Sequence, residues 1–170
     1  MKKYFFLFIV APMFLFANTA SLSKSSSIKA DLVTVVKSER KMILSHKGKV
    51  FKTYNIALGG NPVGHKQVQG DQKTPEGYYK LDYFKANSSF YKALHISYPN
   101  RKDCRNARKK GKSPGGAIMI HGQPNNEGGW FKSFFKQRTD WTAGCIAMYN
   151  SDMDEVLKYV TVGTTIHIKP

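Results

Sequence analysis

Short runs of apolar, β-branched and aromatic residues alternate with polar breaks through most of this chain, and few stretches repeat with the period of a helix. From residue 30 onward Asp31–Lys37, Met42–His46 and Lys49–Leu58 are rich in Val, Ile, Thr and Tyr. Polar or Gly-containing breaks separate them, Lys47-Gly48 among them, which predicts an antiparallel meander. Gly59-Gly60-Asn61-Pro62 interrupts it, and Thr74-Pro75-Glu76-Gly77 is a turn into the alternating Tyr78–Phe84, a fourth strand. Ala93–Tyr98 and Ala117–Ile120 are apolar runs of strand length, and Thr164–Ile168 alternates. Helix is predicted twice, roughly over Gly129–Gln137 and from a Ser151-x-x-Asp154 capping signature. The second continues into a Met153, Val156, Leu157, Val160 stripe at i, i+3, i+4, i+7. The pattern describes one mainly β domain with one or two helices and no internal repeat.

The first 29 residues stand apart from that pattern. Tyr4–Phe16 is an apolar run well short of the ~20 residues a membrane-spanning helix needs. Lys2 and Lys3 precede it and the small residues of Ala17-Asn18-Thr19-Ala20 follow, the three-part pattern of a secretory signal peptide over residues 1–20. Cleavage after Ala17 or Ala20 fits, and retention as an uncleaved anchor is the alternative. Residues 21–29 form a Ser-rich linker with little to bury. The folded domain is then 30–170, exported to the periplasm or cell envelope with no membrane span in the mature chain.

Composition adds a partner class. Of the 170 residues, 27 are Lys or Arg and 11 Asp or Glu, for a formal charge of +16, and 41% are apolar. That apolar share supports a packed core and excludes intrinsic disorder. Removal of Lys2 and Lys3 leaves 25 basic against 11 acidic side chains, a mature charge of +14, which draws a protein toward polyanions. Outside the cytoplasm nucleic acid is not the expected partner; acidic cell-wall polymer is. The plainer alternative is a charge that only keeps the domain soluble.

Chemistry concentrates between residues 117 and 150. An apolar strand delivers His121-Gly122, and Gly144 immediately precedes Cys145, one of two cysteines. A thiol is only a few per cent ionised at neutral pH, so a neighbouring imidazole that takes its proton raises its reactivity. Gly144 lets the backbone approach a substrate carbonyl, and main-chain N–H groups near Cys145 are candidate oxyanion donors. From spacing alone, a buried structural cysteine and a core histidine remain the alternative.

Ile120-His121-Gly122, followed by Asp140-Trp141-Thr142-Ala143-Gly144-Cys145-Ile146-Ala147 and Asn150, resembles the L,D-transpeptidase (YkuD-type) catalytic domain, whose signature is His-Gly and a downstream [Ser/Thr]-x-Gly-Cys. Leu58-Gly59, Lys73–Tyr79, Ile96–Asn100 and Val162–Ile166 are also similar to that family, so the resemblance covers about residues 30–170. It implies a YkuD-like β-sandwich, Cys145 as nucleophile, His121 as the histidine that activates it, and the Gly122 carbonyl as orienter of the ring. It further implies peptidoglycan stem peptides as substrates: attack on the carbonyl at stem position 3, release of D-Ala, and transfer of the thioester acyl group to an amine, giving a 3→3 cross-link. Hydrolysis of the same acyl enzyme, an L,D-carboxypeptidase activity, and a silent wall-binding module are the alternatives. No metal or cofactor is implied, and no histidine pair has the spacing of a zinc site.

Three departures qualify the resemblance. Many members have His where this chain has Ala143, and many place Arg or Asn where it has Ala147, so an acidic substrate group must be bound from elsewhere. The gap between His121 and Thr142 is also long, which points to a helical insertion over Gly128–Arg138. Asn100–Gly116 holds seven Lys or Arg and reads as a lid offering Arg101, Arg105 or Arg108 to carboxylates, or as a solvated loop; Arg138 is a further candidate. Cys104 in this segment is either an unpaired thiol or the partner of Cys145 in an inactivating disulfide. His95 is a candidate for the pocket wall, and Trp130 and Trp141 are core or wall-facing aromatics, with direct stem-peptide contact as the alternative.

Overall fold

The computed structural model describes residues 28–125 and 139–170. The expected meander is β1 (Leu32–Val36), β2 (Lys41–His46) and β3 (Lys49–Asn55), paired antiparallel in order. Val33, Val35, Met42 and Leu44 are fully buried, the alternation expected of a sheet with one face on the core. Lys47 and Gly48 both have positive φ, 49° and 76°, the twist a two-residue hairpin turn requires.

Strand β4 (Gly77–Ser88) is longer than the sequence pattern indicates and serves two halves of the molecule. Residues 77–80 pair with the terminal strand β8 (Thr165–Lys169), and residues 81–88 pair with β5 (Tyr91–Ile96) through two register irregularities. Strand β8 in turn pairs parallel with β1. On the other side β5 pairs with β6 (Met119–His121), which pairs parallel with β7 (Ile146–Ala147). The eight strands run β3-β2-β1-β8-β4-β5-β6-β7.

The two ends of that order meet. Ala57, just beyond β3, exchanges both backbone hydrogen bonds with Ala147 of β7, each 2.9 Å. The folded sheet therefore wraps one hydrophobic core, drawn from both halves and including Leu44, Leu81, Ile96, Ile120, Ile146 and Ile166. The mainly β prediction holds.

Two helices complete the described residues, and one of them lies in the segment read as a basic lid. Helix α1 (Arg101–Lys109) begins at a capping box: the Asn100 side chain accepts from the Lys102 and Asp103 amides, and Asp103 accepts from the Asn100 amide. Only Asp103 and Ala107 of α1 are buried. The absence of an apolar stripe hid it from a periodicity reading. Helix α2 (Asn150–Tyr159) starts at Tyr149 without a side-chain cap, so Ser151 lies inside its first turn. Its Met153 and Val156 enter the core as expected, followed by Val160. The helix predicted over Gly129–Gln137, with Trp130 and Arg138, falls outside the described residues, as do the signal peptide and most of the linker.

Candidate active site

The loop between β3 and β4 is held by buried charges. Lys37 donates to Glu76 (2.7 Å) and to the carbonyls of Gly64 and Thr74. Lys66, 3% exposed, pairs with Asp71 at 2.8 Å. The Asp71 carboxylate also accepts from the amides of Gln67, Val68 and Lys73. Burial raises its pKa, but these bonds outweigh burial and leave it at about 2.

That loop forms a seat for the Cys145 turn. Asp140 accepts from the Leu58 amide (2.9 Å) and pairs with Arg40 (2.6 Å). Thr142 receives and returns backbone bonds with Leu58 and Gly60. Gly144 has φ +130°, and a Cβ there would meet the Lys73 carbonyl at 2.6 Å, so both conformation and space require glycine. Thr142 Oγ1 accepts from the Gly144 amide (3.1 Å) and donates to the Cys145 carbonyl (2.7 Å). The Gly144 N–H is thus engaged within the turn. Gly144 thereby shapes the turn that carries Cys145.

Cys145 and His121 come from adjacent parallel strands. Ile120 is opposite Ile146 and His121 opposite Ala147, which sets Cys145 opposite Met119, two residues before His121 on the same face. The Met119 amide donates to Cys145 Sγ at 3.4 Å, and Sγ donates to the Ala117 carbonyl at 3.6 Å. His121 Nδ1–H donates to the Gly122 carbonyl at 2.7 Å, which leaves Nε2 as the acceptor nitrogen. The Gly122 carbonyl thus lies against one nitrogen of the ring. Tyr91 Cβ lies 2.9 Å from where a Gly122 Cβ would stand, and Asn150 Oδ1 lies closer still.

Burial lowers the His121 pKa, opposed by the Gly122 carbonyl. Burial also raises that of Cys145, opposed by the Met119 amide and the charge of Lys66. Both shifts favour neutral forms, so the resting pair is thiol and imidazole rather than thiolate and imidazolium.

Both residues open into one cavity of about 360 Å³, whose other walls include Lys85, Ser88, Phe90, Met119, Trp141 and Ala143. The Phe90 and Trp141 rings lie 4.7 and 5.7 Å from the His121 ring, centre to centre. Trp141 is therefore a wall aromatic of this site. Phe90 and Lys85, on the β4–β5 hairpin, escaped the sequence reading, because nothing local ties them to a motif thirty or more residues away.

Other candidates lie elsewhere. None of Arg101, Arg105 and Arg108 lines the cavity; they are exposed on α1. His95 bonds to Asp82 at 2.6 Å and stacks on Tyr83. Cys104 is exposed on α1, and it and Cys145 are both free thiols. Among the described residues no group of three or more His, Cys, Asp or Glu is placed to hold a metal ion.

Residues 30–168 match the model of the YkuD L,D-transpeptidase catalytic domain. The chain belongs to the YkuD L,D-transpeptidase family. It is 31% identical over 135 residues to YafK of Escherichia coli K12, provisionally named an L,D-transpeptidase, covering 76% of this chain and 46% of YafK. Among solved structures it is similar to Pgp2 of Campylobacter jejuni in its K307A form, described as a helical cell shape determining protein. That match has TM-score 0.61, 25% identity and coverage of 84% of this chain and 48% of Pgp2. Bd1075 of Bdellovibrio bacteriovorus shares the fold at TM-score 0.56 and 21% identity, covering 86% of this chain and 50% of that one. The chain spans about half the length of these relatives. Among its described residues no helix is long and apolar enough to cross a membrane.

Proposed function

We propose that this chain is an exported peptidoglycan L,D-transpeptidase with Cys145 as nucleophile and His121 as base, then acid. The observation that carries the reading is the placement of both side chains on one face of adjacent strands, opening into one cavity, with the imidazole held so that Nε2 is the accepting nitrogen. Diagonal neighbours on adjacent strands lie within reach of each other's side chains. The proposed attack requires Sγ to leave the Ala117 carbonyl and turn toward the ring.

Nε2 takes the thiol proton as sulfur attacks the carbonyl of the third stem residue. The imidazolium returns that proton to the departing amine of D-Ala, leaving a thioester on Cys145. Among the described residues the Cys145 N–H has no intramolecular acceptor, so it is the main-chain donor left for the oxyanion once Gly144 is engaged by Thr142. An amine of a second stem then attacks the thioester, His121 takes its proton and returns it to the departing Cys145 sulfur, and the product is a 3→3 cross-link. The signal pattern over residues 1–20 and the +14 charge of the mature chain support action in the envelope, on peptidoglycan stems and beside acidic wall polymer.

Purified tetrapeptide muropeptides incubated with the mature protein test this by mass spectrometry. Dimers are expected; tripeptides alone would mean that water is the acceptor, and unchanged stems with retained wall binding would mean a silent module. Cys145→Ala is expected to lower turnover by on the order of 10³-fold or more, and unaltered turnover in that variant would remove the nucleophile assignment.

A further inference from the structure

One row of paired residues crosses the active-site half of the sheet. Lys85 of β4 is opposite Ala93 of β5, Ala93 is opposite His121 of β6, and His121 is opposite Ala147 of β7. Residues directly opposite in a sheet present their side chains to the same face, so the four share one surface. Ala147 is fully buried and Ala93 is 2% exposed. Only methyl groups therefore flank His121 within the row, and its one cation is Lys85.

Two strand spacings of ~4.8 Å separate Lys85 from His121, and the only side chain between them in the row is the Ala93 methyl. A flexible four-carbon stem carries the ammonium over that methyl. Lys85 is a wall residue of the Cys145 cavity, and its described walls hold no carboxylate and no other Lys or Arg. Other lysines near by are occupied: Lys92 is bound to Asp154, Lys66 to Asp71 and Lys37 to Glu76. Lys85 is exposed, and its side chain makes no ion pair or hydrogen bond among the described residues.

The hairpin that carries it is anchored. The Phe90 carbonyl accepts from the Gly122 amide (3.1 Å), and Asn125 bonds to Ser88, Ser89 and Tyr91. Lys85 is thus held in a fixed relation to the exit of the His121 strand.

We propose that Lys85 binds a carboxylate of the donor stem peptide, supplying from β4 the positive charge that Ala147 does not supply from β7. The inference rests on the stem-peptide reading of the site. A tetrapeptide stem ending in D-Ala offers the terminal carboxylate and, where the third residue is a diaminodicarboxylic acid, a second one at the far end of that residue's side chain; both have the same chemistry. Lys85 fixes the stem so that the third carbonyl reaches Sγ, and acts through binding alone.

Calorimetric titration of the Cys145→Ala protein with a tetrapeptide stem measures binding without turnover. Adding Lys85→Met should weaken Kd by on the order of ten- to a hundredfold, and Lys85→Arg should restore most of it. Two further stems, one amidated at the terminal carboxyl and one at the third residue, identify the group recognised: the amide that erases the effect of the Lys85→Met substitution marks it. Equal loss with all three stems, or no loss with any, overturns the Lys85 assignment while leaving the stem-peptide reading in place. If the Cys145→Ala protein with Lys85 intact binds none of the stems, both fall.

Discussion

His121 and Cys145 show how the surroundings of a residue set its chemistry. Both are pushed toward their neutral forms by burial, so in the proposed reaction the thiolate would form during attack rather than be stored. In a Cys104→Ser background, where Cys145 is the one thiol, alkylation by iodoacetamide should rise with pH around a midpoint above the ordinary 9.0. It should stay slow at pH 7. The acid limb of kcat/KM should fall below the ordinary imidazole value of 6.5, because a base with a lowered pKa stays unprotonated to lower pH. A plateau of fast alkylation at pH 6–7 would instead mean a stored ion pair. The two residues and the Gly122 bond between neighbours were legible in the motif. The engagement of Gly144 by Thr142 was not, since a motif lists residues and not which amides their turn uses internally.

Among the elements, the β3–β4 loop has the clearest energetic signature. Asp71 titrates at about 2 when folded against 3.8 otherwise. A depressed carboxylate pKa contributes stability above the unfolded value, and that contribution is lost as pH falls from about 4 through about 2. Asp71→Asn should therefore lose about 2 kcal/mol at pH 7, or roughly 4–8 °C in Tm by thermal denaturation followed by circular dichroism. The gap between the two proteins should close below pH 2; a constant gap would assign the loss to packing. Because Gln72 and Lys73 back the Gly59 and Gly144 contacts, the same variant should also slow turnover. Helix α1 teaches a related lesson: its Asn100–Asp103 capping box was present in the sequence, yet a segment with seven cations over Asn100–Gly116 and no apolar stripe reads as a lid or solvated loop. Its helical form rests on the cap and on Asp103, which Tyr79 and His65 also reach, at 3.0 and 3.1 Å.

Over the whole molecule the charge is uneven in consequence as well as in number. Every Lys and Arg of α1 is exposed, and none lines the Cys145 cavity, so α1 would attract polyanion away from that cavity. Co-sedimentation of the Cys145→Ala protein with purified sacculi should weaken on the order of tenfold between 50 and 500 mM NaCl, as screening shortens the reach of exposed charge. Retention that ignores salt would place wall binding in the cavity instead. The amino-acid order by itself determined the meander, the core alternation of β1 and β2, the apolar stripe of α2 and the identity of the Cys145 motif, because each is carried by residues close in the chain. Only the tertiary structure decided that β8 inserts beside β1, that Ala57 closes the sheet on Ala147, and that Lys85 stands in one row with His121. Those pairings join positions tens of residues apart, and they follow from burying one shared core, a condition that no local pattern encodes.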